Sequence, residues 1–182
     1  MASFVVMSAP HRQDVPYIGV IGPGEASPAE MEAAREIGSR CAKAHAVVVT
    51  GGLGGVMEAA CQGAFEVGGL TVGILPGQDR TVGNRYLTFA LATGLGELRN
   101  GLVVRACDVL IVVGQSWGTL SEMALALRTG TPVVSINKMT IDQPGQVQPE
   151  YVGLVDAAVE RALELARSAP ARRRRVAAGP VG

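Results

Sequence analysis

The sequence predicts an α/β protein of Rossmann-like type: a doubly wound parallel sheet with helices on both faces, in one three-layer α-β-α domain. Three observations predict it. Short, wholly apolar runs such as Ala46-Val47-Val48-Val49 and Val109-Leu110-Ile111-Val112-Val113 read as strands buried on both faces. Segments with helical periodicity follow them, and such alternation builds parallel sheets through right-handed crossovers. The joints are rich in glycine, of which the 182 residues carry 24. A composition 48% hydrophobic and 18% charged is that of a globular chain.

Residues 1–14 show no consistent period and are expected to form a flexible arm. Tyr17-Ile18-Gly19-Val20-Ile21 is the first strand and runs into Gly22-Pro23-Gly24. Ser27, Pro28 and Glu30 then supply an N-cap, a first-turn proline and a capping-box acid. That helix continues through Ala33, Ile37, Cys41 and Ala44 on one face. A dinucleotide fingerprint needs a third glycine where Ser27 stands, so the match to that motif is weak.

Ala46–Val49 is the second strand, followed by Thr50-Gly51-Gly52-Leu53-Gly54-Gly55-Val56-Met57. Four glycines in five positions let backbone approach a ligand closely and offer a nest of N–H donors. A crowded helix–strand crossing is the other reason for them. The helix from Val56 to Val67 turns Ala59, Ala60, Gly63 and Ala64 inward and stops at Gly68-Gly69. Leu70–Leu75 is a strand, 78–85 a polar loop, and Tyr86–Leu91 a short fourth strand. After the turn at Thr93–Gly96, a helix over Glu97–Ala106 is expected to face the core with Leu98, Leu102 and Ala106. Arg99 falls in its first turn, where the helix dipole disfavours a cation. A guanidinium held there suits a carboxylate or a phosphate.

Val109–Val113 feeds Gly114-Gln115-Ser116-Trp117-Gly118-Thr119-Leu120-Ser121-Glu122, and the helix runs on to Arg128. Free N–H groups and the dipole make that helix start an anion site. Thr119 and Glu122 also fit a capping box, which would serve the helix alone. A strand over Thr131–Ile136, a polar loop over Asn137–Pro149 and an amphipathic helix over Tyr151–Arg167 complete the domain, 15–167. Residues 168–182, with Arg172–Arg175, read as a disordered, solvated Arg-rich tail. Ligands on doubly wound sheets bind at the carboxyl ends of the strands. The turns after Ile21, Val49 and Val113 therefore share one edge and can share one ligand.

Charge and residue usage exclude several classes. A formal net charge of zero gives no field for nucleic acid or an acidic membrane. No apolar run approaches the ~20 residues of a membrane span, and the start has no basic-then-apolar leader pattern. Cys41, Cys61 and Cys107 lie among apolar residues and read as buried thiols of a cytoplasmic protein. His11 and His45 are too scattered for a metal site, and no metal is expected.

Gly51–Glu58, Arg99-Asn100 and Gly118–Glu122 resemble the Lonely-guy-like superfamily, in the same order and spacing from about Tyr17 to Ile136. That group contains nucleoside 5′-monophosphate phosphoribohydrolases, molybdenum-cofactor carrier proteins and members once labelled lysine decarboxylases. The last activity is implausible here, since neither Lys43 nor Lys138 lies on a glycine turn where pyridoxal phosphate would dock. The resemblance implies a Rossmann-like homo-oligomer, dimer or tetramer. The hydrolases' Pro-Gly-Gly is replaced by Gly114-Gln115-Ser116, Ser121 precedes Glu122, and Asn100 follows Arg99.

Two readings follow. In the first, the protein hydrolyses the N-glycosidic bond of a nucleoside 5′-monophosphate and needs no cofactor. Gly22, Gly51, Gly52, Gly54, Gly55, Gly118 and Thr119 would bind the nucleotide, its phosphate resting on the backbone N–H groups. Glu122 would face the ribose to steady an oxocarbenium-like transition state or a water, with Arg99 orienting it or neutralising charge on the leaving base. In the alternative, the same turns hold the phosphate of a molybdopterin or nucleotide carried without reaction, and Arg99 and Glu122 are an ion pair holding the loop. In both, the partner is a phosphorylated small molecule and not nucleic acid or membrane.

Overall fold

The computed structural model describes residues 15–138 and 147–168. The expected arm 1–14, the middle of the loop after Asn137 and the tail from 169 onward, Arg172–Arg175 included, lie outside the described residues. Within them, strands β1 (Tyr17–Ile21), β2 (Val47–Thr50), β3 (Thr71–Leu75), β4 (Phe89–Ala92), β5 (Val109–Val112), β6 (Val133–Ser135) and β7 (Glu150–Tyr151) form one sheet. Their order is β4-β3-β2-β1-β5-β6-β7, and every neighbouring pair is parallel. The helices are α1 (Pro28–Lys43), α2 (Val56–Glu66), α3 (Asn100–Ala106), α4 (Trp117–Thr129) and α5 (Val155–Ser168).

The apolar run of β5 shows why both faces are covered. Val109, Ile111 and Val113 enter the core beneath α1, α2 and α5, whereas Leu110 and Val112 enter the core beneath α3 and α4. A period of two on a strand apolar at every position requires helices on each side. The expected three-layer, doubly wound architecture is therefore observed. The start of α1 also matches expectation. Ser27 Oγ accepts from Glu30 N–H at 3.3 Å, and Glu30 Oε2 accepts from Ser27 N–H at 2.8 Å.

Three elements differ from expectation. Helix α3 begins as a tight 3₁₀ turn over Gly96–Arg99, which rotates the face that follows. Val103 and Val104 are buried, while Leu98 is 81% exposed and Leu102 43%. Strand β4 starts at Phe89; ahead of it the Thr71 hydroxyl donates to Tyr86 C=O at 2.6 Å and accepts from Thr88 N–H at 2.7 Å, so a side chain makes part of the pairing there. Finally, Tyr151 pairs with Ser135 as strand, and Gly153 at φ +76 separates it from α5, so that helix begins four residues later than expected. Among the described residues no helix is long and apolar enough to cross a membrane.

Candidate functional site

The glycine turns after β2, β1 and β5 lie side by side, because those three strands are neighbours in that order. Between β1 and β5 the winding reverses: α1 follows β1 onto one face and α4 follows β5 onto the other. Such a reversal opens a crevice at the strand ends. Gly22 fills the base of it. A Cβ there would strike the Val113 carbonyl oxygen and sit 2.7 Å from Val56 Cγ1, so this glycine serves close packing.

The turn after β2 rests on the turn after β1. Val56 N–H donates to Pro23 C=O at 3.1 Å. Gly55 has φ +61, and a Cβ on it would strike the Pro23 and Gly24 carbonyl oxygens, so no other residue fits this position without strain. Two expected donors behave differently from the rest. The Gly52 N–H is engaged inward, donating to the buried Thr50 Oγ1 at 3.1 Å. The carbonyls of Gly52 and Leu53 accept from Asn84, through its backbone N–H at 2.9 Å and its Nδ2 at 3.1 Å. The N–H groups of Gly54 and Gly55 have no protein acceptor among the described residues. At Gly54 there is also room, since a Cβ would meet only Gly24 O at 3.7 Å and Glu58 Oε2 at 4.0 Å.

At the turn after β5, the expected capping box of Thr119 and Glu122 does not form. The helix starts earlier: Ser116, extended at φ −151 and ψ 169, is the N-cap and accepts from Thr119 N–H at 3.1 Å. The two hydroxyls share a hydrogen bond of 2.8 Å, and Thr119 is buried. Thr119 therefore completes the cap and does not offer its amide outward. Gly114 (φ +70) donates its N–H to Asn137 Oδ1 at 2.8 Å. Gly118 N–H has no protein acceptor among the described residues, and beside it stands Trp117, 88% exposed.

Arg99 joins the two sides. Its guanidinium lies over Gly51, where a Cβ would come within 2.5 Å of Nη1 and 2.6 Å of Nη2. Nη1 is 3.6 Å from Glu122 Oε1, an ion pair too long for a hydrogen bond. Arg99 is 7% exposed and Glu122 6%, and Arg99 Nε is buried with no partner among the described residues. Burial pushes the Glu122 carboxyl up to about 7, with the Arg99 charge opposing the rise. Burial also lowers the Arg99 pKa, against the pull of Glu122. A carboxyl poised near neutrality can exchange a proton, yet here it faces Arg99 from a buried position.

Of the residues singled out in the sequence, Gly51, Arg99 and Glu122 thus meet, and Gly54, Gly55 and Gly118 present open amides. Gly52, Thr119 and Gly22 support the turns from within. Sequence reasoning missed Thr50, Asn84, Ser116 and Asn137. The Ser-x-x-Thr spacing signals the Ser116 cap, whereas Asn84 and Asn137 reach the turns across 31 and 23 residues with no local signal. Among the described residues no group of His, Cys, Asp and Glu side chains is arranged to hold a metal ion.

Fold and geometry define a class: a Rossmann-like α/β protein with open backbone amides at the carboxyl edge of its sheet and a buried Arg–Glu pair between two glycine turns. The chain belongs to the SLOG cluster4 family, whose model matches residues 15–162, within the Lonely-guy-like superfamily that the motifs implied. An uncharacterized protein of Archaeoglobus fulgidus is 43% identical over 119 residues, 65% of this chain and 78% of that protein. The molybdenum cofactor binding protein of Rippkaea orientalis superposes with a TM-score of 0.67 at 44% identity, over 69% of this chain and 78% of that one. The molybdenum cofactor carrier protein of Chlamydomonas reinhardtii superposes at 0.75 with 33% identity, over 83% and 98%.

Proposed function

We propose that this protein is a carrier that binds a phosphorylated pterin, the molybdenum cofactor, without chemical conversion. The observation that carries the reading is the pairing of Arg99 with Glu122 at 3.6 Å, both buried, beside amides that remain open. In this reading the pair ties the glycine turn after β2 to α4 instead of attacking a substrate. Similarity to molybdenum cofactor binding and carrier proteins supports the same conclusion.

The residues fit such a cargo. A phosphate monoester needs several N–H donors and a favourable dipole. Gly54 and Gly55 at the start of α2 supply them, with space above Gly54, and Gly118 adds a donor from α4. The cofactor's metal chemistry belongs to the cargo; this chain binds and shields it. The buried cysteines Cys41, Cys61 and Cys107, none of them in a disulfide among the described residues, support a reducing, cytoplasmic setting. Exposed Leu98 and Trp117 support the expected homo-oligomer.

Hydrolysis of nucleoside 5′-monophosphates is the second reading, favoured only by a Glu122 pKa near 7, which suits acid–base catalysis. One experiment separates the two. The purified protein is incubated with adenosine monophosphate and, separately, titrated with molybdopterin while Trp117 fluorescence is followed. The carrier reading expects saturable binding of the pterin and no adenine. Release of adenine that Glu122→Gln abolishes would replace it with the hydrolase reading.

A further inference from the structure

We infer that Asn84, from the polar loop ahead of β4, is the positioning residue that aims the phosphate-binding turn. The inference rests on the proposed site above and assigns a residue that no motif marks. Its basis is the planarity of the peptide unit. In a trans peptide the C=O and the following N–H point in opposite directions, and the described chain has no cis peptide bonds. Asn84 Nδ2 donates to Leu53 C=O at 3.1 Å, which turns the Gly54 N–H of the same peptide unit away from Asn84. Asn84 N–H donates to Gly52 C=O at 2.9 Å, which does the same for the Leu53 N–H.

Two further bonds hold the clamp itself. Asn84 Oδ1 accepts from Tyr86 N–H at 3.2 Å, fixing the side-chain amide so that Nδ2 faces the turn. Thr50 Oγ1 takes the Gly52 N–H from beneath at 3.1 Å, against Cys61 Sγ at 3.4 Å. Gly52 is thereby anchored at both its N–H and its C=O, and Leu53 at its C=O. The glycines that follow lack side chains to resist a flip of the Leu53–Gly54 peptide. Without Asn84 that peptide is free to turn its carbonyl toward the anion, which repels phosphate. With Asn84 in place it presents a donor.

The test uses glycine-labelled, full-length protein titrated with inorganic phosphate, reading the amide resonances of Gly54, Gly55 and Gly118. In the wild type all three shift together with one dissociation constant. In Asn84→Ala the Gly54 shift is lost and phosphate binds roughly tenfold more weakly, the loss expected for one hydrogen bond to a charged group. Asn84→Asp keeps the acceptor for Tyr86 N–H and loses the Nδ2 donor to Leu53 C=O and to the Cys61 thiol. It also adds a negative charge that weakens phosphate binding overall, so the selective readout is the Gly54 amide. It shows the same selective loss at Gly54, which a general loosening of the loop would not give. If either variant retains the Gly54 shift and wild-type affinity, the inference is overturned while the site stands. If phosphate shifts none of the three amides in the wild type, the site fails and the inference with it. Should both variants fail to fold, residual dipolar couplings on the wild type decide: a Gly54 N–H directed toward Asn84 overturns the inference, and one directed away from it supports it.

Discussion

Replacing Glu122 by Gln should change how the stability of this protein depends on pH. Burial raises the folded-state pKa of Glu122 from 4.5 to about 7. Between those values the unfolded carboxyl has lost its proton while the folded one keeps it, so acid favours the folded state. Stability therefore falls as pH rises through this window, and is level below about 4.5 and above about 7. At about 1.4 kcal/mol per pH unit the whole fall is about 3–4 kcal/mol. For a chain of this size that corresponds to roughly 10 °C in Tm. Other groups titrate identically in wild type and Glu122→Gln, so their difference isolates Glu122. Urea denaturation of both proteins at half-unit steps from pH 4 to 8.5 measures it. The difference should decline with rising pH, steepest midway between about 4.5 and about 7. Parallel curves would show that Glu122 has an ordinary pKa, and the picture of a desolvated carboxyl facing a monodentate arginine would be wrong.

Other substitutions probe the pieces separately. Arg99→Ala leaves the buried Glu122 unpaired and should cost about 3–5 kcal/mol at pH 8, and less at pH 5 where the carboxyl is neutral; chemical denaturation at the two pH values reads the difference. Gly55→Ala places a Cβ against two carbonyl oxygens at positive φ and should destabilise by at least about 2 kcal/mol, whereas Gly54→Ala meets no contact nearer than 3.7 Å and should leave Tm nearly unchanged. Ser116→Ala removes the cap of α4 and should cost about 1 kcal/mol by the same denaturation assay.

Much of the fold is legible because β1, β2, β3 and β5 are apolar runs closed by glycine, a pattern that leaves little room for another architecture. The helix faces are less legible. Leu98 and Leu102 fit an ideal helical period, but the 3₁₀ turn over Gly96–Arg99 uses fewer residues per turn and hands the inward face to Val103 and Val104. That same rotation buries Arg99, a residue whose charge alone suggests solvent. The two residues of β7 are too few to show a period at all.

The site divides in the same way. Glycine clusters mark where backbone comes close, so Gly51, Gly54 and Gly55 are found from sequence. Which amides point outward depends on acceptors far along the chain. Gly52 looks like any other donor until Thr50 and Asn84 are seen holding it from both sides. Thr119 resembles a cap until Ser116 is seen to occupy that position. Local spacing thus locates the turns, and tertiary hydrogen bonds decide their chemistry.

A crystal of the protein grown with molybdopterin tests the central claim most directly. The account predicts tetrahedral phosphate density within about 3 Å of the Gly54 and Gly55 nitrogens, beside the first turn of α4, with the Arg99–Glu122 pair intact behind it. Pterin bound with its phosphate on another edge of the sheet, or with Glu122 swung out to meet the ligand, would contradict it.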